Sequence, residues 1–232
     1  MQERESKTIE YDPFVPDYTI ERIDRPEGRL YRTPDGLFPS VTTVIGAASD
    51  KSFLDEWRER IGHEEADRIS SLMRNFGTRM HEFLEVYIKT GQEPKPVEYG
   101  YDVWEAWLDH RPEFMQNLNK VVGVELQMYS KTIQMAGTAD CLGYWNGIPS
   151  IIDFKTSYKS KKKEWIGGYF VQAVFYSVMA QERFGFTPKQ IVIPIFTRMG
   201  QPSIFIERIR DYYEPAYRTI ERARKAGVYT VW

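Results

Sequence analysis

The spacing of apolar and polar residues along this chain changes from a helical period to an alternating one near Lys120. Before that point the pattern reads as helices. Phe53, Trp57 and Ile61 recur at four-residue spacing behind Asp50 or Ser52 as a start signal. A longer helical pattern begins near Glu64, runs through Ile69 and Met73, passes Gly77 and reaches Ile88, where Gly91 supplies a stop. Pro94 and Pro96 mark a linker, and Tyr101, Trp104 and Leu108 belong to a further helix. Upstream, residues 39–45 read as a short helix capped by a serine or threonine hydroxyl. Pro34-Asp35-Gly36 turns between short strands at 29–33 and 37–39. Residues 1–28, polar and scattered with prolines, are expected to lie loosely over the surface.

After Lys120 the strands begin. Residues 120–128 alternate weakly, and residues 136–156 hold two β-prone runs flanking Asn146-Gly147, the strongest short hairpin signal. A basic loop at 159–163 precedes Gly167-Gly168 and a helical run to about Phe184. Strands at 190–196 and 203–209 surround a turn at Met199-Gly200. Asp211 and Glu214 form a D-x-x-E capping pattern for a last helix to about Ala226. Helices first, then mixed strands and helices, predict an α/β fold with a helical N-terminal part. The expected organisation is one domain over 1–232, with 39–118 mainly helical and 119–232 carrying the sheet.

The hairpin carries candidate chemistry. Asp140 and Asp153 are equidistant from the centre of the Asn146-Gly147 turn, so they come to face each other with Cβ atoms about 5 Å apart. Lys155 returns to the same face, with Thr138 as its expected partner across the ladder. Two facing carboxylates raise one pKa unless a divalent cation keeps both ionised, and hard oxygen ligands select Mg²⁺ or Mn²⁺. A lysine beside such an ion stabilises a developing phosphorane oxyanion or positions the attacking water. The competing reading is an edge hairpin with both aspartates solvated and leaning apart.

Composition narrows the field. The 232 residues bury a sizeable core, and a net charge of -2 leaves partners undetermined. The single cysteine, Cys141, excludes a disulfide framework and a cysteine-held iron–sulfur cluster, and fits a reducing compartment. No apolar run reaches the roughly 18 residues of a membrane span, and the N-terminus has neither a signal core nor a transit-peptide composition, so a cytoplasmic location is expected. Neither a P-loop nor a G-x-G-x-x-G occurs, which excludes ATP and dinucleotide binding by those routes. His81-Glu82-Phe83-Leu84-Glu85 is H-E-x-x-E, not the zinc-peptidase H-E-x-x-H. By strand alternation Cys141 faces away from Asp140 as a core thiol.

Four further residues stand out. His81 shares the apolar side of its helix with Met80, Leu84 and Ile88, the usual setting of a packed core histidine. Glu125 interrupts the apolar strand V-V-G-V-E-L, where it either faces solvent or needs a partner. Gln172 and Tyr176 share one helical face. Taken in order, Gly77-Thr78-x-x-His81, Glu125, Gly137-Thr138-Ala139-Asp140, Asp153-Phe154-Lys155-Thr156 and Gln172-x-x-x-Tyr176 resemble the PD-(D/E)XK nuclease superfamily in its RecB-like branch. With Pro39-Ser40-Val41-Thr42-Thr43-Val44 and the tight hairpin, the pattern is most similar to the mitochondrial genome maintenance exonuclease group and its phage and bacterial relatives. The resemblance covers roughly residues 39 to 176. Ala139 stands where the superfamily name has proline, as is common in this branch.

The resemblance implies a restriction endonuclease-like core, a mixed central sheet flanked by helices. It implies Asp140, Asp153, His81 and the Phe154 carbonyl as ligands of Mg²⁺ or Mn²⁺, with no iron–sulfur cluster. Lys155 would orient or activate the attacking water and stabilise the transition state, Glu125 would support the metal shell or its waters, and Gln172 and Tyr176 would brace the site or contact the nucleic-acid backbone. Lys159, Lys161, Lys162 and Lys163, directly after the catalytic strand, and Arg74 and Arg79, flanking His81, supply positive charge for that backbone. Trp104, Trp107 and Trp165 are candidates for stacking unpaired bases. The implied activity is a metal-dependent DNA exonuclease preferring single strands with a free end. Its alternatives are a structure-selective endonuclease of the same superfamily and an inactive nucleic-acid binding module. Single-stranded DNA and replication or recombination proteins are the expected partners, in a bacterial cell or phage-infected host.

Overall fold

A computed structural model describes residues 9–50 and 52–228. Strands β1 (Glu10–Tyr11), β2 (Glu21–Arg25), β3 (Gly28–Thr33) and β4 (Gly36–Pro39) come first. Helices α1 (Val41–Ala48), α2 (Ser52–Ile61), α3 (His63–Thr90), α4 (Pro96–Tyr99) and α5 (Tyr101–Asn117) follow. Then come β5 (Leu118–Ser130), β6 (Met135–Trp145), β7 (Ile148–Ile152), β8 (Lys155–Ser157), α6 (Gly167–Phe184), β9 (Gln190–Thr197), β10 (Ser203–Arg208) and α7 (Tyr213–Lys225).

Local signals set most of these bounds. The Ser40 hydroxyl caps α1 by accepting from the Thr43 amide, and Asp50 accepts from the Ser52 amide at the start of α2. Gly91 ends α3 in the left-handed region at φ 69°. The D-x-x-E box does not form. The last helix starts at Tyr213, and Asp211 instead accepts from Arg208 Nε at 2.9 Å within a short 3₁₀ turn.

The fold is a mixed α/β sandwich. Its central sheet runs β1-β5-β6-β7-β9-β10, with β8 also on β9. One face packs Val44 of α1, Phe170 and Val174 of α6, and Ala223 of α7 against Ile191, Ile193 and Ile195. The other packs Phe83 and Leu84 of α3 and Trp107 and Phe114 of α5 against Val192 and Phe196. Alternation along β9 serves both layers at once. Beside this sandwich, β2-β3-β4 form an antiparallel sheet whose Tyr31 and Phe38 pack on Tyr129 and Ala136.

Residues 9–28 do not lie loosely. Lys120 Nζ reaches Glu10 at 2.7 Å and Asp12 at 2.9 Å, holding β1 parallel to the edge of β5, and β2 pairs with β3. Residues 1–8 of that segment lie outside the described residues.

The hairpin turn at Asn146-Gly147 has φ values of 53° and 73°, the type I′ signature. Its rungs run from Trp145–Ile148 to Cys141–Ile152, the register that brings Asp140 toward Asp153. There the ladder stops. β7 and β8 keep a common register along β9, through Ile152–Val192, the Asp153 amide on the Val192 carbonyl and Lys155–Ile195, but leave β6. Lys155 is therefore opposite Ile195 rather than Thr138, which pairs with Gln127. The sheet splits at Asp153-Phe154, one branch continuing as β5-β6 and the other as β8-β9.

No atom lies near a Cβ built on Gly147, so only its positive φ restricts that position. Gly147→Val is expected to lower stability by about 1–2 kcal/mol, read from the urea midpoint at unchanged m-value.

Candidate active site

The split in the sheet is where the candidate residues meet. At Asp140 the β6 strand has lost its neighbour on one side, and its carboxylate fills the place of a ladder bond. Asp140 Oδ2 accepts from the Phe154 amide at 2.7 Å. Its Oδ1 lies 3.7 Å from His81 Nδ1, and His81 Nδ1 lies 3.4 Å from Glu125 Oε1. His81 reaches this point because α3 passes close to β8 at Gly77, where an added Cβ would stand 3.1 Å from Thr156 Oγ1.

Glu125 arrives by an unusual backbone. The rungs on either side, Val124–Cys141 and Leu126–Ala139, set it opposite Asp140. Its φ is 47°, left-handed for a non-glycine residue inside a strand. Strict alternation would send Val124 and Leu126 to one face. They enter opposite layers instead, as do Cys141 and Ala139 across the ladder. The strand pair thus turns over at the Glu125/Asp140 rung and aims both carboxylates at His81.

Ligand atoms of His81, Glu125 and Asp140 all lie within 4.8 Å of one another. This set differs from the expected one, since Glu125 stands with the ligand candidates and Asp153 sits behind them. Asp153 is fully buried, and its carboxylate forms an ion pair with the Lys155 ammonium. Neither Asp153 oxygen has another hydrogen-bond partner among the described residues. The Lys155 ammonium also lies 5.2 Å from the centre of the Tyr169 ring. The Phe154 ring is buried between His81 and Phe114, which fixes its main chain at the site.

The electrostatics follow from this crowding. Burial, and next Asp140, push the Asp153 carboxyl up to about 6 against the pull of Lys155. Burial likewise raises Asp140, with His81 and Lys155 opposing. Burial draws the His81 imidazole down, but Asp140 and Glu125 outweigh it and the net shift is upward. Lys155 also rises on balance, because Asp153 and Asp140 overcome its desolvation. Burial pushes the Cys141 thiol up, and its side chain belongs to the core beside α3 and α5.

An oxygen-rich donor set with one imidazole, backed by buried carboxylate oxygens short of donors, fits a hard divalent cation. A cleft of about 250 Å³ opens over Glu125 and Asp140, walled by Ser40, Thr42, Gly137, Gln172 and Tyr176. Gln172 Nε2 donates to the Tyr176 hydroxyl at 3.5 Å. Gly137 admits the Tyr176 ring, since an added Cβ would stand 2.9 Å from it.

The basic candidates divide. Arg79 clamps Asp102 at 2.7 and 2.9 Å and also donates to Asn75 and the Tyr99 carbonyl, so it ties α3 to α4 and α5. Lys163 pairs with Glu207, whereas Arg74, Lys159, Lys161 and Lys162 have no ion partner among the described residues. Trp107 is wholly buried, and Trp104 packs its edge on Phe83. Trp165 is 64% exposed beside Lys162. It lines a groove of about 880 Å³ that meets the cleft at Thr42 and Gln172. Arg22 and Arg29 also line the cleft, and no motif in the sequence drew attention to them.

No family model matches the chain. It is similar to human mitochondrial genome maintenance exonuclease 1, with 24% identity over 175 residues, 70% of this chain and 48% of that protein. The chain thus spans about half the length of that relative. It also overlaps a crystal structure of a candidate exonuclease from Eubacterium rectale at a TM-score of 0.39 and 16% identity, covering 82% of this chain and 69% of that one. Among the described residues no helix is long and apolar enough to cross a membrane.

The raised Asp153 value sets a pH dependence for cation binding. Its folded pKa of about 6 exceeds the ordinary 3.8, so between those values the folded, cation-free protein holds a proton that the unfolded chain has released. A cation held by His81, Glu125 and Asp140 would lower the pKa of Asp153 behind them, so its binding is coupled to release of that proton. The thermal stabilisation given by Mn²⁺ over EDTA is expected to be large near about pH 8 and to shrink toward about pH 5. Differential scanning fluorimetry across that range checks it.

Proposed function

We propose that this chain is a divalent-metal-dependent DNA exonuclease, a hydrolase of phosphodiester bonds that prefers single strands with a free end. The observation that carries the reading is the convergence of His81, Glu125 and Asp140 in front of the buried Asp153–Lys155 pair. Similarity to an exonuclease supports a nuclease of this general kind. The order of motifs from Gly77 to Tyr176 supports a single domain of the PD-(D/E)XK superfamily in its RecB-like branch.

In this reading His81, Glu125 and Asp140 hold the cation, with Asp153 and the Phe154 main chain behind them. Mg²⁺ or Mn²⁺ is the ion this donor set favours. Bound there, it supplies Lewis-acid stabilisation of charge on the phosphoryl oxygens. Lys155 remains an ammonium at neutral pH, because its anionic neighbours raise its pKa. It therefore donates hydrogen bonds, orienting the attacking water and balancing charge on a non-bridging oxygen, and does not serve as the general base. Asp153 and the Tyr169 ring fix its position. Gln172 and Tyr176 brace the wall of the cleft against the strand backbone.

The single-strand preference rests on the groove joined to the cleft. Exposed Trp165 offers a face on which an unpaired base stacks, and Lys159, Lys161 and Lys162 follow β8 as phosphate partners. Arg74 adds charge on α3, while Arg79 acts as a brace.

End-labelled single-stranded and duplex oligonucleotides with Mg²⁺ or Mn²⁺ test the reading. Progressive shortening of the single strand is expected, with a covalently closed circle left intact. Lys155→Ala is expected to lower kcat by about 10²–10³ with KM little changed. A wild type that degrades nothing, or an Asp140→Asn variant with full activity, would overturn the proposal.

A further inference from the structure

The cleft has an acidic floor and a basic rim, and the rim belongs to the small accessory sheet rather than to the motif-bearing core. Arg22 on β2 and Arg29 on β3 both line the cleft that exposes Glu125 and Asp140. One carboxylate holds them together. Asp24 accepts from Arg22 Nε at 2.9 Å and from Arg29 Nε at 3.0 Å. Both guanidinium groups are thus gripped by the inner nitrogen, and their outer Nη donors have no partner among the described residues. The two arginines also lower the pKa of Asp24, so it stays ionised.

The position of Arg29 is built with some precision. Its amide donates to Thr43 Oγ1 at 2.9 Å, the Thr43 hydroxyl donates back to its carbonyl at 3.0 Å, and the Ser40 amide donates to the same carbonyl at 2.9 Å. Gly28, at φ 136°, leaves room for Thr43, whose methyl would stand 2.5 Å from an added Cβ. The start of α1 therefore fixes the β2–β3 hairpin over the cleft.

Resting on the nuclease reading of the same site, we propose that Arg22 and Arg29, bridged by Asp24, form a clamp for a backbone phosphate adjacent to the scissile one. A guanidinium fork matches phosphate oxygens in a way an ammonium does not. Asp24 offsets one of the two positive charges, leaving a net charge suited to a singly charged phosphodiester. The clamp also gives the polyanion an attractive edge beside carboxylates that would otherwise repel it.

Fluorescence anisotropy of a labelled single-stranded oligonucleotide with the full chain in Ca²⁺, together with steady-state turnover in Mg²⁺, tests this. For R22Q/R29Q the dissociation constant is expected to rise about 10–100-fold, and the slope of log K against log salt to flatten by about 0.7, the share of one neutralised phosphate. KM should rise more than kcat falls, at near-wild-type Tm. R22K/R29K is expected to recover the salt slope but not the affinity. Unchanged binding and KM in R22Q/R29Q, or full recovery in R22K/R29K, overturns the clamp and marks a surface charge patch only. The binding arms need no turnover. If the wild type binds but never cleaves, loss in R22Q/R29Q still supports the clamp while the nuclease reading fails. If the wild type does not bind, both fall.

Discussion

One buried carboxylate governs this site. Asp153 sits with no solvent contact between β7 and β8, at the point where the chain leaves β6, and an ionised group there is costly unless it is compensated. Lys155 compensates it in part, which ties the lysine to a fixed place two residues along the same strand. Asp140, from the other branch, tightens the conflict by adding a second negative charge. Carboxylates perturbed in this way are characteristic of functional sites, and the core layers on both faces of the sheet are continuous around them.

The backbone contributes as much as the charges. A strand normally delivers every second side chain to the same face, so Glu125 and its flanking core residues compete for positions. The left-handed turn of Glu125 resolves that competition by sending Val124 and Leu126 into different layers. Such a conformation costs on the order of 1–3 kcal/mol and persists where packing on both sides enforces it. The steric allowances at Gly77 and Gly137 do related work, letting α3 approach β8 and the Tyr176 ring approach β6.

Much of this was readable in the chain because it is local. Asn146-Gly147 specifies a type I′ turn, and the turn fixes the register that brings Asp140 to Asp153. Gly91, Ser40 and Asp50 mark helix ends through contacts within a few residues. What escaped depends on partners far away in sequence. The hairpin's departure from β6 is decided by β9, so the neighbour of Lys155 could not be read from the hairpin itself. The loss of Arg79 to Asp102 and the burial of Trp107 are likewise set by how α3 and α5 pack. Residues 9–28 looked unstructured because their strands are polar on both faces and held by ion pairs. Pattern analysis detects apolar periodicity, and Arg22 and Arg29 belong to no such pattern.

The branching of the sheet has a mechanical side. Glu125 and Asp140 ride on β5 and β6, whereas Asp153 and Lys155 lie along the segment that runs beside β9, so the two halves of the site sit on different branches of one sheet, joined through β7. At the fork, the bond from the Phe154 amide to Asp140 spans the gap and acts as a tether whose length sets the spacing of the two halves. Any distortion that pries β6 from β9, whether by crowding at the cleft or by loosening at the hairpin tip, is felt first at that link. The accuracy of the site is therefore a property of how stiffly two sheet branches are joined.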